Sequence, residues 1–359
     1  MIIKFFSLDI GSHNPVVFPA AYSNLMNKLH LLAAAALICA TTTATGQVPA
    51  NTNSKLAGFH TVTARAWSTS LVGVNFVRPM LASGKIDAEA VRSLTDNNVD
   101  FLVALAGQSN LWVEITSGTN RGVASPVTAV AQRVLTTEED LSALSAVGDT
   151  YVVRAAHTPA TLFGTTNQAG LRPSPTESWT GNADLVYIPD GAGGYKYVYY
   201  STSVAGWREV NSGTTSAASL PVYHVDGIWI QRNHFTNLDV KFSGSIRSAP
   251  TFFFAATGVN ADVNTNYAAG STLTNSGLHS YVLHGSETTG DILWFPNSTG
   301  GWDQYYYTDT VGSFTAGWKK VGSGNTDMGA TVFPTAFSLE RKGAAGTLKI
   351  TPSTIYNGL

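Results

Sequence analysis

Apolar and polar positions alternate in short runs along most of this chain, the period expected of half-buried β-strands. Runs at 60–67, 71–77, 99–105, 111–116, 123–131 and 150–155 are rich in Val, Thr and aromatic residues. Turn formers such as Ala106-Gly107-Gln108 and Ser117-Gly118-Thr119-Asn120 separate them. One stretch, 86–94, has a helical period. A second helical turn is expected over 138–144, where Thr137 and Asp140 have the spacing of a helix-start capping pair. Together these elements predict a first β domain over 60–164. The segment 165–182, with Pro173 and Pro175, reads as a linker.

Beyond the linker the pattern repeats. Asp184-Leu185-Val186-Tyr187-Ile188-Pro189, a Gly-rich turn and Gly194-Tyr195-Lys196-Tyr197-Val198-Tyr199-Tyr200 recur at a spacing of 107. The second occurrence is Asp291-Ile292-Leu293-Trp294-Phe295-Pro296, then Gly301-Trp302-Asp303-Gln304-Tyr305-Tyr306-Tyr307. After a small insertion Gly206-Trp207 is answered by Gly317-Trp318. Each copy then closes on an apolar strand ending in arginine, at Arg232 and Arg341. Each copy reads as strand, turn, strand, Gly-Trp turn, long loop and strand. A lone hairpin is marginal in water, so the copies are expected to pack on each other or on runs at 238–242, 251–255 and 280–283. The predicted fold class is all-β: a small N-terminal β-barrel or sandwich, then a pseudo-symmetric β-sandwich built from two repeated hairpin units. Their bounds are 183–289, with its connecting strands, and 290–350; a tail follows at 351–359.

The N-terminal region reads as an address. Residues 26–46 have a short polar opening with Lys28, an apolar core at 29–40 and a small-residue cleavage site at Ala44-Thr45-Gly46, the layout of a signal peptide. Translation is expected to begin at Met26, with 1–25 a doubtful extension and 47–59 a linker. Cys39, the one cysteine, lies in the signal segment and follows Ile38 rather than the small residue of a lipoprotein box. An exported mature chain would therefore have no thiol for disulfides, nucleophiles or thiolate metal sites. No later apolar stretch is long enough for a transmembrane segment. Export predicts an extracellular, cell-surface or periplasmic location.

Charge narrows the function classes. Only 12% of residues are charged, about half the usual share, and the net charge is −2. No cluster of Lys and Arg could neutralise several phosphates or anchor the chain to an anionic lipid surface, which argues against nucleic acid. The Gly-x-Ser-x-Gly elbow, His-Glu-x-x-His and the phosphate-cradling and dinucleotide glycine patterns are all missing. His279 and His284, five apart, would fall on opposite faces of a strand. Asp262-Val263-Asn264-Thr265-Asn266 alternates oxygens like a calcium loop, but lacks the turning Gly and has Leu273 where a closing acid belongs, so a polar loop is the better reading. No catalytic residue, metal site or cofactor is assigned.

Aromatic residues are the remaining candidates. Strand alternation puts Tyr195, Tyr197 and Tyr199 on one face of their strand, and Trp302, Gln304 and Tyr306 on the matching face of the second copy. If that face is outward, Tyr195, Tyr197, Tyr199, Trp302 and Tyr306 could stack on sugar rings. The competing expectation is cross-strand aromatic pairing that only stabilises the sheet. Trp207 and Trp318 read as core anchors, and Asp184 and Asp291 as strand-entry or turn residues.

The repeat, together with Val74-Asn75-Phe76-Val77-Arg78-Pro79, Ile115-Thr116-Ser117-Gly118, Pro126-Val127-Thr128-Ala129 and Thr161-Leu162-Phe163-Gly164, resembles an uncharacterised family of secreted proteins, with many paralogues in verrucomicrobial bacteria. Similar modules often carry a Gly-Trp-Asn and Asn-Pro-Tyr-Pro stretch between the hairpins. Here Gly258-Val259-Asn260 and Asn266-Tyr267 stand there without the prolines. The resemblance implies class and compartment, with no activity to carry over. The expected function is a secreted, non-catalytic structural or adhesive role at the cell surface or in extracellular matrix. A glycan-binding module is the runner-up and an extracellular hydrolase the third reading; the implied partners are extracellular glycans or cell-envelope components.

Overall fold

Strand pairing shows that the duplication is larger than the hairpins. In the first copy β10 (Leu185–Pro189), β11 (Tyr195–Ser201), β12 (Gly206–Glu209) and β13 (Gly227–Arg232) form an antiparallel sheet, completed by β2 (Ser68–Gly73) in the order β12-β11-β10-β13-β2. The second copy repeats this order with β17 (Ile292–Pro296), β18 (Trp302–Thr308), β19 (Gly317–Lys320) and β20 (Ala336–Glu340), completed by β16 (Asn260–Asn264). Each five-stranded sheet is accompanied by an antiparallel ribbon. One ribbon pairs β1 (Ala57–Ala64) with β14 (Leu238–Ser245), the other β15 (Thr251–Ala255) with β21 (Gly346–Ile350). These registers align the copies without a gap: Val62 answers Phe253, Ala64 answers Ala255, Val72 answers Val263, and Asn75-Phe76 answer Asn266-Tyr267. The repeated unit is therefore a ribbon packed on a five-stranded sheet.

In the first copy other strands intervene between β2 and β10. The strands β3 (Met80–Lys85), β4 (Ala88–Ala90), β5 (Ser93–Thr95), β6 (Leu111–Ile115), β7 (Ala124–Val130), β8 (Val134–Thr137) and β9 (Thr150–Ala155) form a seven-stranded sheet of their own. Three apolar cores correspond to these three bodies. The first gathers Val72, Phe76, Val198 and Trp207, the second Val263, Tyr267, Tyr305 and Trp318, and the third Leu94, Phe101, Leu135 and Tyr151. The chain is all-β with several antiparallel sheets, and none of those described closes into a barrel. These statements come from a computed structural model that describes residues 57–213 and 215–357, all within the unit Lys55–Leu359. The doubtful extension 1–25, the signal segment 26–46 with Cys39, and most of the linker 47–59 lie outside the described residues. No described helix is long and apolar enough to cross a membrane.

Two expectations about local structure are corrected. The stretch 86–94, expected helical, is the hairpin of β4 and β5, turning at Arg92 with φ of 54°. Its helical-looking spacing reflects two separate needs: Ile86 and Leu94 both enter the third core, and Leu94 pairs with Leu135. Pairing thus overrides propensity. Conversely the run 99–105, expected as a strand, holds a helical turn, α1 (Phe101–Ala104), because Asp100 caps it by accepting from Val103 N. Phe101 and Leu105, four apart, are the buried face. The stretch 138–144 forms turns without an α-helix. The other helix, α2 (Pro159–Phe163), starts on a capping box between Thr158 and Thr161.

The residues common to both copies explain their shape. Asp184 and Asp291 are wholly buried and each is paired with the arginine that ends its sheet, Arg232 or Arg341. Asp184 also accepts from Arg172 N and Asn233 N at 2.7 Å, and Asp291 from Leu283 N, Lys342 N and Gly343 N at 2.7–2.8 Å. One carboxylate thus ties the chain entering β10 or β17 to the chain leaving β13 or β20. The tryptophans are the core anchors expected: Trp207 and Trp318 are each 1% exposed and meet Tyr200 and Tyr307 edge-on at 5.4 Å. Trp207 Nε1 donates to Gly164 O at 2.8 Å, whereas Trp318 Nε1 has no partner.

Removing one partner of a buried ion pair leaves an uncompensated charge or polar group. Asp184→Ala is expected to lower unfolding free energy by about 3–5 kcal/mol in urea titration, with the paired change Asp184→Leu, Arg232→Met costing less. A single-variant loss below about 1 kcal/mol would contradict the clamp. The tryptophans give a second, internally controlled prediction. Trp207→Phe strands the Gly164 carbonyl and should cost about 1 kcal/mol more than Trp318→Phe, which loses no hydrogen bond.

Candidate functional site: the outer aromatic face

Alternation on β11 and β18 divides the tyrosines as the sequence predicts. Val198 and Tyr200, and their counterparts Tyr305 and Tyr307, face the cores. Tyr195, Tyr197 and Tyr199, and Trp302, Gln304 and Tyr306, take the opposite face. Of these six only Tyr199 and Tyr306 are buried, so a continuous outward aromatic row, the alternative to cross-strand pairing, does not form. Tyr199 is 3% and Tyr306 6% exposed. The chain before each first strand returns as a strap: Ser174 N donates to Tyr200 O at 2.8 Å, and Gly285 N to Tyr307 O at 2.9 Å. In the first copy Tyr199 Oη donates to Glu177 O beneath this strap.

Tyr195 and Trp302 occupy equivalent positions and are half-buried where the copies meet. Tyr195 Oη and Trp229 Nε1 both donate to Asp262 Oδ2 of the second copy, and the Trp302 ring lies 5.5 Å from Trp229. The calcium-like stretch is accounted for by the same contact. Asp262 and Asn264 lie on β16, and Asn264 Nδ2 donates to Val74 O and His224 O, so the oxygens do not converge. Among the described residues no group of three or more His, Cys, Asp or Glu side chains could hold a metal ion. Of the five candidates Tyr197 alone is open, at 41% exposure, set edge-on against Tyr187 at 4.6 Å. Tyr187 and Trp229 belong to this surface by cross-strand register with Tyr197. Sequence reasoning missed them as site residues, although strand alternation from Val186 marks Tyr187 as outward.

Two clefts flank this contact and are related by the duplication. The hairpin turn 190–194 overhangs β15 and β16, and the turn 297–301 overhangs β1 and β2. Both turns are built alike: Asp190 accepts from Ala192 N and Gly194 N, and Asn297 from Thr299 N and Gly301 N. The second cleft is small, about 170 Å³, because Arg65 crosses it and donates to Ser298 O at 2.6 Å. Its counterpart in the repeat alignment is Ala256, and there the cleft is about 460 Å³. Asp226 is among its lining residues, accepting from Tyr223 N, and desolvation pushes its carboxyl up to about 7.

A second contact joins the seven-stranded sheet to the rest. Arg247, on the connection between the copies, pairs with Glu114 of β6 at 2.8 Å and donates to Gly122 O and Pro250 O. Beside it Trp112 stacks on His224 at 4.3 Å. Burial holds the His224 imidazole far below its usual range, so the ring stacks as a neutral one. His279 and His284 do not lie on opposite faces of a strand: they flank a turn, both rings lie against Tyr307, and His284 Nε2 bonds to His279 O at 2.7 Å.

Comparison of the chain with protein-family models, curated proteins and solved structures finds no match in any of the three.

The Asp226 carboxyl gives a pH prediction. Its folded pKa of about 7 exceeds the unfolded carboxyl value of about 4. The folded state therefore holds the extra proton between those values, and stability falls as pH rises through that window. Asp226→Asn should raise the urea midpoint relative to the parent at pH 8 and leave it nearly unchanged at pH 4. An equal shift at both values would show that ionisation of Asp226 is not the cause.

Proposed function

We propose that this chain is an exported, non-catalytic protein with a structural or adhesive role at the cell surface or in extracellular matrix. The observation that carries this reading is the use made of the aromatic face. Tyr195, Trp229 and Trp302 join one copy to the other through Asp262, and the straps cover Tyr199 and Tyr306. The recurrent residues of the repeat hold strands together, as a protein whose product is its shape requires. Low charge, the signal-like segment and the likeness to a secreted family support export.

A second reading rests on a separate observation. Tyr197 and Tyr187 form an exposed aromatic shelf beside Gln231, which accepts from Tyr187 Oη. Such a shelf suits the apolar face of a pyranose, and binding there would make the adhesive ligand a glycan.

Cell fractionation and a glycan array test these readings together. Retention in the envelope or matrix fraction is expected, and release of all the protein into the medium would overturn the adhesive role. If the shelf binds glycan, Tyr197→Ala should weaken array binding at least tenfold while changing stability by less than about 0.5 kcal/mol. An array on which the parent chain binds nothing would remove the second reading.

A further inference from the structure

The duplication provides an internal comparison at the straps. In the first copy the strap is long: Asp184 is 12 residues beyond Arg172, whose amide it accepts. Its side chains leave a cleft of about 140 Å³ beside Tyr199, walled by Trp179. In the second copy the equivalent carboxylate, Asp291, is 8 residues beyond Leu283. The connection from β18 to β19 is meanwhile longer, spanning 309–316 against 202–205. A shorter strap and a longer loop open a cleft of about 400 Å³ over Tyr306, within the size range of small-ligand sites.

The side chains of this cleft are specific in kind. Phe314, 37% exposed, supplies aromatic surface, Val311 adds an apolar edge, and the buried Tyr306 is part of the lining. Ser286 and Thr289 supply hydroxyls, bonded to each other at 3.0 Å, and Asp309 a carboxylate that is 66% exposed. His284 holds that carboxylate in place through Nδ1 at 2.9 Å. Serine, histidine and aspartate stand near one another here, yet they are not a nucleophile and its base. Both imidazole nitrogens are engaged, Nδ1 by Asp309 and Nε2 by His279 O, so no ring nitrogen is free to accept a proton from Ser286. The lining contains no Lys or Arg, and its one carboxylate disfavours an anion.

We propose that this cleft, between the strap 283–290 and the loop 309–316, is a binding site for a neutral pyranose sugar. The ring would lie against Phe314 and Val311, and its hydroxyls would donate to Asp309 and exchange hydrogen bonds with Ser286 and Thr289. An aromatic wall with a rim of acceptors and hydroxyls matches the amphipathic surface of a sugar. A small quaternary ammonium would use the Phe314 ring and the carboxylate but leave the hydroxyls without a role. The proposal rests on the adhesive reading and names its ligand. It is separable from that reading because envelope retention is measured independently, and from the tyrosine shelf because the two surfaces share no residue.

The test is calorimetry of the mature chain against neutral cello-, chito-, xylo- and manno-oligosaccharides, with tetramethylammonium and a sulfated glycan as further probes. At least one neutral oligosaccharide should bind, and Asp309→Asn and Phe314→Ala should each weaken it tenfold or more with the urea midpoint retained. Three results would overturn the proposal: no neutral oligosaccharide binds; tetramethylammonium or the sulfated glycan binds in their place; or binding is lost in Tyr197→Ala and kept in both cleft variants.

Discussion

A carboxylate withdrawn from water must be met by partners that replace its hydration, and here this happens twice in the same way. Asp184 and Asp291 are each held by an arginine guanidinium and by main-chain amides. The partners lie 48 and 50 residues further along the chain. Satisfying the carboxylate therefore requires β10 to lie beside β13, and β17 beside β20, the first and last strands of each hairpin segment. A buried pair of this type adds little net stability over an apolar replacement, but it penalises every arrangement that leaves one partner unmatched. We take its role to be specification of register in a sheet whose hairpins alone would be marginal.

From that constraint the rest of each copy follows. The strap that supplies an amide to the aspartate must pass over the hairpin, which buries Tyr199 and Tyr306. With the straps in place, Tyr195, Trp229, Trp302 and Asp262 remain to join the copies. The two halves differ where the clamp exerts no demand. Arg65 closes one cleft where Ala256 leaves its counterpart open, and the second strap is short where the first is long. The first half also accommodates a whole seven-stranded sheet between β2 and β10, fastened by Arg247–Glu114 and by Trp112 on His224.

The legible parts of the sequence were those that chemistry restricts to one residue type. Asp, Arg, Gly-Trp and the turn glycines recur because nothing else fills their roles, so the hairpins and their inward and outward faces could be read directly. The larger unit could not. Val62 and Phe253, or Phe76 and Tyr267, serve one packing role with different apolar residues, and packing tolerates such exchange. Exposure of the tyrosines was hidden for another reason: alternation gives the face a side chain takes, whereas cover comes from straps more than twenty residues away, as Glu177 over Tyr199 shows. At the hairpin 88–95 and the helical turn 101–104 apolar spacing does not distinguish strand from helix, because within so short a stretch it fits either period.

The central claim, that the buried aspartates hold each copy in register, concerns particular amides. Native-state hydrogen exchange reads them directly: Arg172, Asn233, Leu283, Lys342 and Gly343, whose N–H groups donate to Asp184 or Asp291. The account predicts that these five exchange as slowly as the central strands β10 and β17, although all five lie outside strands. Exchange of these amides at the rate of the exposed hairpin turn 190–194, with the strands still protected, would contradict it.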